Sequence, residues 1–116
     1  MEKIEKIVPK LSLVIPMFNE EENIVPLFER LYPVLEKLPE PFEVVCVDDG
    51  SKDKTFQLLK QQQILRAHLV VLSFARNFGQ HTAVMAGFEA SQGDWVITMD
   101  ADLQNPPEEI GKLVAK

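Results

Sequence analysis

The sequence predicts an α/β fold with an open, mainly parallel sheet of about four βα units. Three observations predict it. Four short apolar runs, Leu11 to Met17, Phe42 to Val47, Leu69 to Phe74 and Trp95 to Met99, are rich in Val, Ile and Leu with little polar alternation. That pattern suits strands covered on both faces, as in a parallel sheet. Each run is followed by a segment with helical features, and regular strand–helix alternation argues for right-handed βαβ units. Each run also ends in a polar loop, three of them acidic.

The elements follow in order. After the first run, Ile24, Leu27, Phe28, Leu31, Leu35 and Leu38 fall at helical spacing and form one apolar stripe. Pro26 is tolerable in a first turn, whereas Pro33 is expected to kink or interrupt the helix. A second helix is predicted over Lys54 to Leu65, capped by Ser51 or Asp53. His68 is expected to start the third strand, and Cys46 and Trp95 to be buried by packing. A third helix over Gln80 to Ala90 carries Ala83, Ala86, Gly87 and Ala90, small enough to sit close to the sheet. A fourth opens with Asn105 as N-cap and Pro106 at its first position. Residues 1–10 read as an N-terminal extension and 11–116 as one domain. The chain stops inside the fourth predicted helix, which suggests a domain cut short.

Composition excludes several classes. With 46% hydrophobic residues among 116, the chain can bury a core and is not intrinsically disordered. The formal net charge of −6 is concentrated: Thr82 to Glu109 holds Glu89, Asp94, Asp100, Asp102, Glu108 and Glu109 and no Lys or Arg. An acidic chain lacks the basic patch that nucleic-acid binding needs. No apolar run is long enough for a transmembrane helix, and the start has no secretory h-region. The single Cys46 makes no internal disulfide and fits a reducing, cytoplasmic compartment.

Ligands of open α/β sheets bind outside the carboxyl ends of the strands, so the four loops there carry the chemistry. Asp100 and Asp102, two apart in an extended segment, would project to one side. Paired ionised carboxylates repel unless a cation joins them, and Mg²⁺ or Mn²⁺ suits such oxygen ligands. A solvated turn is the plainer reading. Asp48-Asp49-Gly50-Ser51 is ordinary turn chemistry, with Gly50 at positive φ, or a carboxylate for a ribose. Glu20, Glu21 and Glu22 suit the positive end of a helix dipole. Arg76 is the one base in its loop, able to pair with a phosphate or with acidic neighbours. Neither a P-loop nor a G-x-G-x-x-G fingerprint occurs.

The order of the loops is more specific than any one of them. Ile15-Pro16-Met17-Phe18-Asn19-Glu20, Val47-Asp48-Asp49-Gly50-Ser51, Arg76-Asn77-Phe78-Gly79-Gln80-His81 and the segment Met99-Asp100-Ala101-Asp102-Leu103-Gln104-Asn105-Pro106-Pro107-Glu108-Glu109 follow one another. This succession resembles family 2 glycosyltransferases of the GT-A fold, over about Leu11 to Lys116. Within that family it is most similar to polyprenyl-phosphate glycosyltransferases. These include dolichyl-phosphate mannose synthases, bactoprenol glucosyltransferases and undecaprenyl-phosphate formamido-arabinose transferases.

The resemblance implies a Rossmann-like nucleotide-sugar-binding half and inverting transfer of a sugar from a nucleoside-diphosphate donor to a lipid phosphate. By position, Pro16, Phe18 and Glu20 match the first nucleoside-binding loop, where many relatives have Tyr in place of Phe18. Val47 and Asp49, with Asp48 beside them, match base and ribose contacts. Arg76, Asp100 and Ala101 join the nucleotide-sugar contacts. Asp102, Gln104 and Asp100 are the expected ligands of Mg²⁺ or Mn²⁺. The resemblance further implies a general base and an acceptor side beyond residue 116, an inactive fragment, and a full-length protein at the cytoplasmic face of the membrane. Three alternatives stay open: a receiver-type phosphoacceptor domain, a nucleotidyltransferase, and a non-catalytic interaction fragment.

Overall fold

The computed structural model describes residues 9–102. Four strands alternate with three helices: β1 (Leu11–Met17), α1 (Ile24–Glu36), β2 (Phe42–Asp48), α2 (Thr55–Leu65), β3 (Leu69–Ser73), α3 (Gln80–Ala90) and β4 (Trp95–Thr98). The sheet order is β3-β2-β1-β4 and every described pairing is parallel. The chain therefore moves outward from β1 to β3, then returns to pair β4 with the free side of β1. This is the reversal at which open α/β sheets open a crevice, and it lies between β1 and β4.

The reversal also sorts the helices. Leu11, Leu13, Ile15 and Met17 of β1, with Val44 and Cys46 of β2, pack with α1 and Leu59 of α2 on one face. Val14, Val45 and Val47 alternate to the other face and meet Ala83 of α3. Right-handed crossovers that travel in opposite directions place their helices on opposite faces. Burial is complete for the central strands but not the outer ones. β1 and β2 are almost wholly buried, β3 is mostly half-buried, and three of the four β4 residues are exposed. Coverage on both faces thus holds for the two strands with neighbours on either side.

Several elements differ from the sequence expectation. The first helix runs through Pro33 without a break. Pro33 is exposed, so the carbonyl left without its helical donor faces water. Leu38 lies beyond that helix, and the stripe instead gains Tyr32, fully buried, whose hydroxyl donates to the Ala67 carbonyl at 2.9 Å. The Phe28, Tyr32 and Phe42 rings meet edge to face, with centroids 5.9 and 5.7 Å apart. His68 does not start β3. It occupies a turn with φ 61°, a left-handed conformation His tolerates better than β-branched residues, and β3 begins one residue later. Trp95 is 46% exposed, because it opens the strand at the described edge of the sheet.

Other expectations hold. α3 has the predicted bounds, and a Cβ at Gly87 would overlap the Val14 side chain, so glycine there lets the helix approach the sheet. Cys46 is fully buried, and its thiol pKa is raised by that burial. The predicted fourth helix, with Asn105 and Pro106, lies outside the described residues.

Candidate functional site

A cleft of about 510 Å³ opens at the carboxyl end of the sheet, astride the reversal between β1 and β4. Its volume lies within the ~300–1,000 Å³ range of small-molecule sites. It is lined by Pro16, Met17, Phe18 and Glu20 after β1, Asp49 after β2, Asn77, Gly79 and Gln80 after β3, and Asp100, Ala101 and Asp102 after β4. Parallel strands of unequal length deliver all four loops to one edge, which is why residues far apart in sequence share this space.

Gly50 is a hinge of the assembly. Its φ is 72°, and a Cβ there would overlap backbone atoms of Arg76 and Asn77. Only glycine allows the second loop to lie against the third at this point. The contact brings Asp49 under the β3–α3 loop. Its carboxylate accepts N–H bonds from Phe78 at 2.7 Å, Gly79 at 3.0 Å and the Asn77 side-chain amide at 3.1 Å. Asp49 is 3% exposed, so these three charge-assisted bonds replace its lost hydration. The Asn77 amide also donates to the Asp49 carbonyl at 3.2 Å, which leaves Oδ1 as its accepting end. Gly79, at φ 103°, places its N–H on Asp49 as α3 begins.

The β1 side is held just as closely. Asn19 adopts φ 54°, and its neighbours Phe18 and Glu20 both line the cleft. Phe18 is 42% exposed. The Glu20 carboxylate accepts the Asn23 side-chain amide at 2.8 Å. Glu21 does not serve α1; its carboxylate accepts the Lys54 N–H, at the start of α2, at 2.9 Å. Neither expected cap, Ser51 nor Asp53, is the N-cap of α2: Lys54 holds that position without a side-chain cap bond, and Asp53, one residue earlier, accepts both the Thr55 N–H at 2.9 Å and the Thr55 hydroxyl at 2.6 Å.

Across the cleft the backbone leaves β4 at Thr98 and turns at Ala101 and Asp102. Asp100 and Asp102 thus reach the cleft from a turn, not from the extended segment that the two-residue spacing suggested. Ala101 between them is buried and pins the turn into the core.

The structure brings Pro16, Phe18, Glu20, Asp49, Asp100, Ala101 and Asp102 together in the cleft, as the motifs imply. It does not bring Val47, Asp48 or Arg76 to the lining. The Val47 side chain is fully buried on the α3 face of the sheet, because alternation turns it away from the loop end. Asp48 is buried and accepts the Ser51 N–H at 3.1 Å, the turn role of an Asx residue. The Arg76 guanidinium lies 4.1 Å from the Phe78 ring centroid, a cation–π stack on the loop surface. Gln104 lies outside the described residues. Sequence reading assigned no role to Met17, Asn77, Gly79 or Gln80, although the last three stand in a motif it singled out.

Among the described residues, the cleft lining has four carboxylates, Glu20, Asp49, Asp100 and Asp102, and no Lys, Arg or His. Among the described residues no group of three His, Cys, Asp or Glu side chains gathers closely enough to hold a metal unaided. Asp100 and Asp102 fit a hard divalent cation that takes one or two protein carboxylates and completes its shell with waters and phosphate oxygens.

The fold is an open parallel α/β sheet with an acidic cleft at its reversal, and the comparisons with known proteins name its family. The family model described as Glycosyl transferase family 2 matches residues 12–116, so the chain belongs to that family. It is 48% identical to the undecaprenyl-phosphate 4-deoxy-4-formamido-L-arabinose transferase of Proteus mirabilis, over 99% of this chain and 35% of the relative. The transferase of the same name from Salmonella choleraesuis is 46% identical over 94% of this chain and 34% of its own length. The chain thus spans about a third of the curated relatives it matches. Among solved structures, S. aureus TarS 1–349 in complex with UDP-GlcNAc aligns with a TM-score of 0.73 and 29% identity, over 91% of this chain and 30% of that one. A Pyrobaculum calidifontis mannosyltransferase in complex with GDP-Man and Mn²⁺ shares the fold, with a TM-score of 0.70 over 81% of this chain and 28% of that one.

Proposed function

We propose that this chain is the donor-binding part of a glycosyltransferase that moves a sugar, with inversion, from a nucleoside-diphosphate sugar to a polyprenyl phosphate. The observation that carries the reading is the charge of the cleft. Among the described residues the lining sets four carboxylates and no base against a diphosphate, so these residues suit that ligand together with a divalent cation. Asp100 and Asp102 would hold Mg²⁺ or Mn²⁺, with Gln104 as a further ligand. The ion would offset charge on the departing diphosphate as a Lewis acid and template.

The chain's own residues do the remaining work at the donor. Phe18 offers an aromatic face to a base, and Glu20 and the Asn77 Oδ1 offer acceptors to nucleoside N–H or O–H groups. Asp49 keeps the Asn77–Gly79 wall in place beneath them. The named relatives act on undecaprenyl phosphate, and TarS binds UDP-GlcNAc; both support a nucleotide-sugar donor and a lipid-phosphate acceptor here. No helix among the described residues is long and apolar enough to cross a membrane. We place the reaction at the cytoplasmic membrane face, where a water-soluble donor and a lipid phosphate can meet.

A thermal-shift panel of UDP, GDP, ADP and CDP, with and without Mn²⁺, tests this reading. At least one diphosphate should raise the melting midpoint only when Mn²⁺ is present. Asp102→Ala should abolish that metal-dependent rise; an equal rise in the variant would refute the assignment of Asp102.

A further inference from the structure

The loops after β1 and β2 are joined by a reciprocal set of hydrogen bonds. Three successive backbone N–H groups of the first loop donate to side chains of the second: Asn19 to Ser51 Oγ at 2.8 Å, Glu20 to Thr55 Oγ1 at 2.8 Å and Glu21 to Asp53 Oδ2 at 3.2 Å. In return, the Lys52 N–H donates to Asn19 Oδ1 and the Lys54 N–H to Glu21 Oε1, each at 2.9 Å. The Thr55 hydroxyl gives its proton to Asp53 at 2.6 Å, so its lone pairs are left for the Glu20 N–H.

The Asp53–Thr55 bonds serve the turn into α2. The remainder acts on residues 19–21. It holds Asn19 in the left-handed region, which Asn enters more readily than other L-residues but leaves as readily unless its surroundings fix it. The two residues flanking Asn19 are the cleft-lining Phe18 and Glu20, whereas Ser51, Asp53 and Thr55 do not line the cleft. Thr55 is fully buried, so no ligand can reach its hydroxyl.

We propose that Ser51, Asp53 and Thr55 are positioning residues for nucleotide capture: through Asn19 and the Glu20 N–H they set the places of Phe18 and Glu20 without touching the nucleotide. The inference rests on the nucleotide reading of the cleft given above. It assigns control of binding strength to a bracket one shell removed from the ligand.

The test is calorimetric titration of the full chain with UDP and with GDP in the presence of Mn²⁺. Thr55→Val removes the hydroxyl at nearly constant volume and should weaken binding about tenfold, the effect of one lost buried acceptor. Thr55→Ser should restore affinity to within about twofold of wild type, since it returns the oxygen. Ser51→Ala, a milder change, should weaken binding about threefold, and it decides the question alone if Thr55→Val does not fold. Tyr32→Phe, which removes the hydrogen bond to Ala67 at the far end of the sheet, is the stability control: it should lower the melting midpoint and leave Kd unchanged. Wild-type affinity in folded Thr55→Val and Ser51→Ala, no restoration by Thr55→Ser, or equal weakening by Tyr32→Phe would each overturn the proposal. Absence of binding by the wild-type chain would overturn the functional reading and this inference with it; binding that the variants leave untouched overturns the inference alone.

Discussion

The two ends of the sheet use buried polar groups for different purposes. At the amino end, Glu43 in β2 is buried and accepts the Ser12 hydroxyl at 2.5 Å and the Gln92 N–H at 2.7 Å. The Ser12 oxygen accepts the Gly93 N–H at 2.8 Å, so the network ties the α3–β4 connection to the sheet. A Cβ at Gly93 would stand 2.6 Å from that oxygen. Nothing in this network borders the main cleft. At the carboxyl end, the buried Asp49 and Thr55 are equally satisfied, but they accept the backbone N–H groups of Gly79 and Glu20, which line the cleft. One end closes a core; the other shapes a site. The same chemistry, a buried carboxylate fed by N–H donors, serves stability or function according to what the donors belong to.

Variants at each end can break this contrast. The largest effect is expected at Gly50. Gly50→Val would place a branched side chain at positive φ against the Arg76 and Asn77 backbone, and should destabilise by more than about 3 kcal/mol in urea unfolding. Glu43→Ala should cost about 2–3 kcal/mol, since it strands buried donors. Calorimetry of the folded variant should show nucleotide affinity unchanged; a tenfold loss would erase the distinction between the ends.

A pH series sharpens the other side. Burial by itself would raise the Asp53 pKa, but hydrogen bonds from the Thr55 hydroxyl and from the Thr55, Glu21 and Asp53 N–H groups outweigh it and hold the carboxyl below its ordinary value. A depressed folded pKa contributes stability that is present at neutral pH and is lost as pH falls from the ordinary carboxylate range through the lowered value. Wild type minus Asp53→Asn stability should therefore shrink on acidification over that window. The smallest effect belongs to the Lys10–Asp94 pair, 3.3 Å apart and more than half exposed. Lys10→Ala should change stability by less than about 0.5 kcal/mol in thermal unfolding.

Much of the fold was legible because it rests on local patterns. The apolar runs gave β1 with its bounds, and β2 to within one residue, because a strand buried on both faces is apolar at most positions, and Ser12 and Glu43 interrupt the runs only once each. α3 was visible from its small residues. Tyr32 was harder: its hydroxyl finds a carbonyl 35 positions away, so nothing nearby marks it as core. Trp95 misled for the converse reason, since apolar character says nothing about whether a strand lies at an edge. In the site, Asp49 and Asp102 could be named from the motif order, but Asn77 could not be given a task, because its partner stands 28 positions earlier. Val47 sits beside functional residues in sequence and on the opposite face of the sheet in space.

By itself the sequence determined the alternation of elements, the family's ordered motifs and the concentration of acid between Thr82 and Glu109. These are consequences of composition and short-range periodicity. The tertiary structure alone decided that β4 pairs with β1, and this one choice puts Asp100 and Asp102 across a cleft from Phe18 and Glu20. It also separated the acids by role. Asp94 pairs with Lys10 on the surface, while Asp100 and Asp102 line the site. Strand order is set by which apolar faces pack best among distant segments, and no local pattern in the chain encodes that comparison.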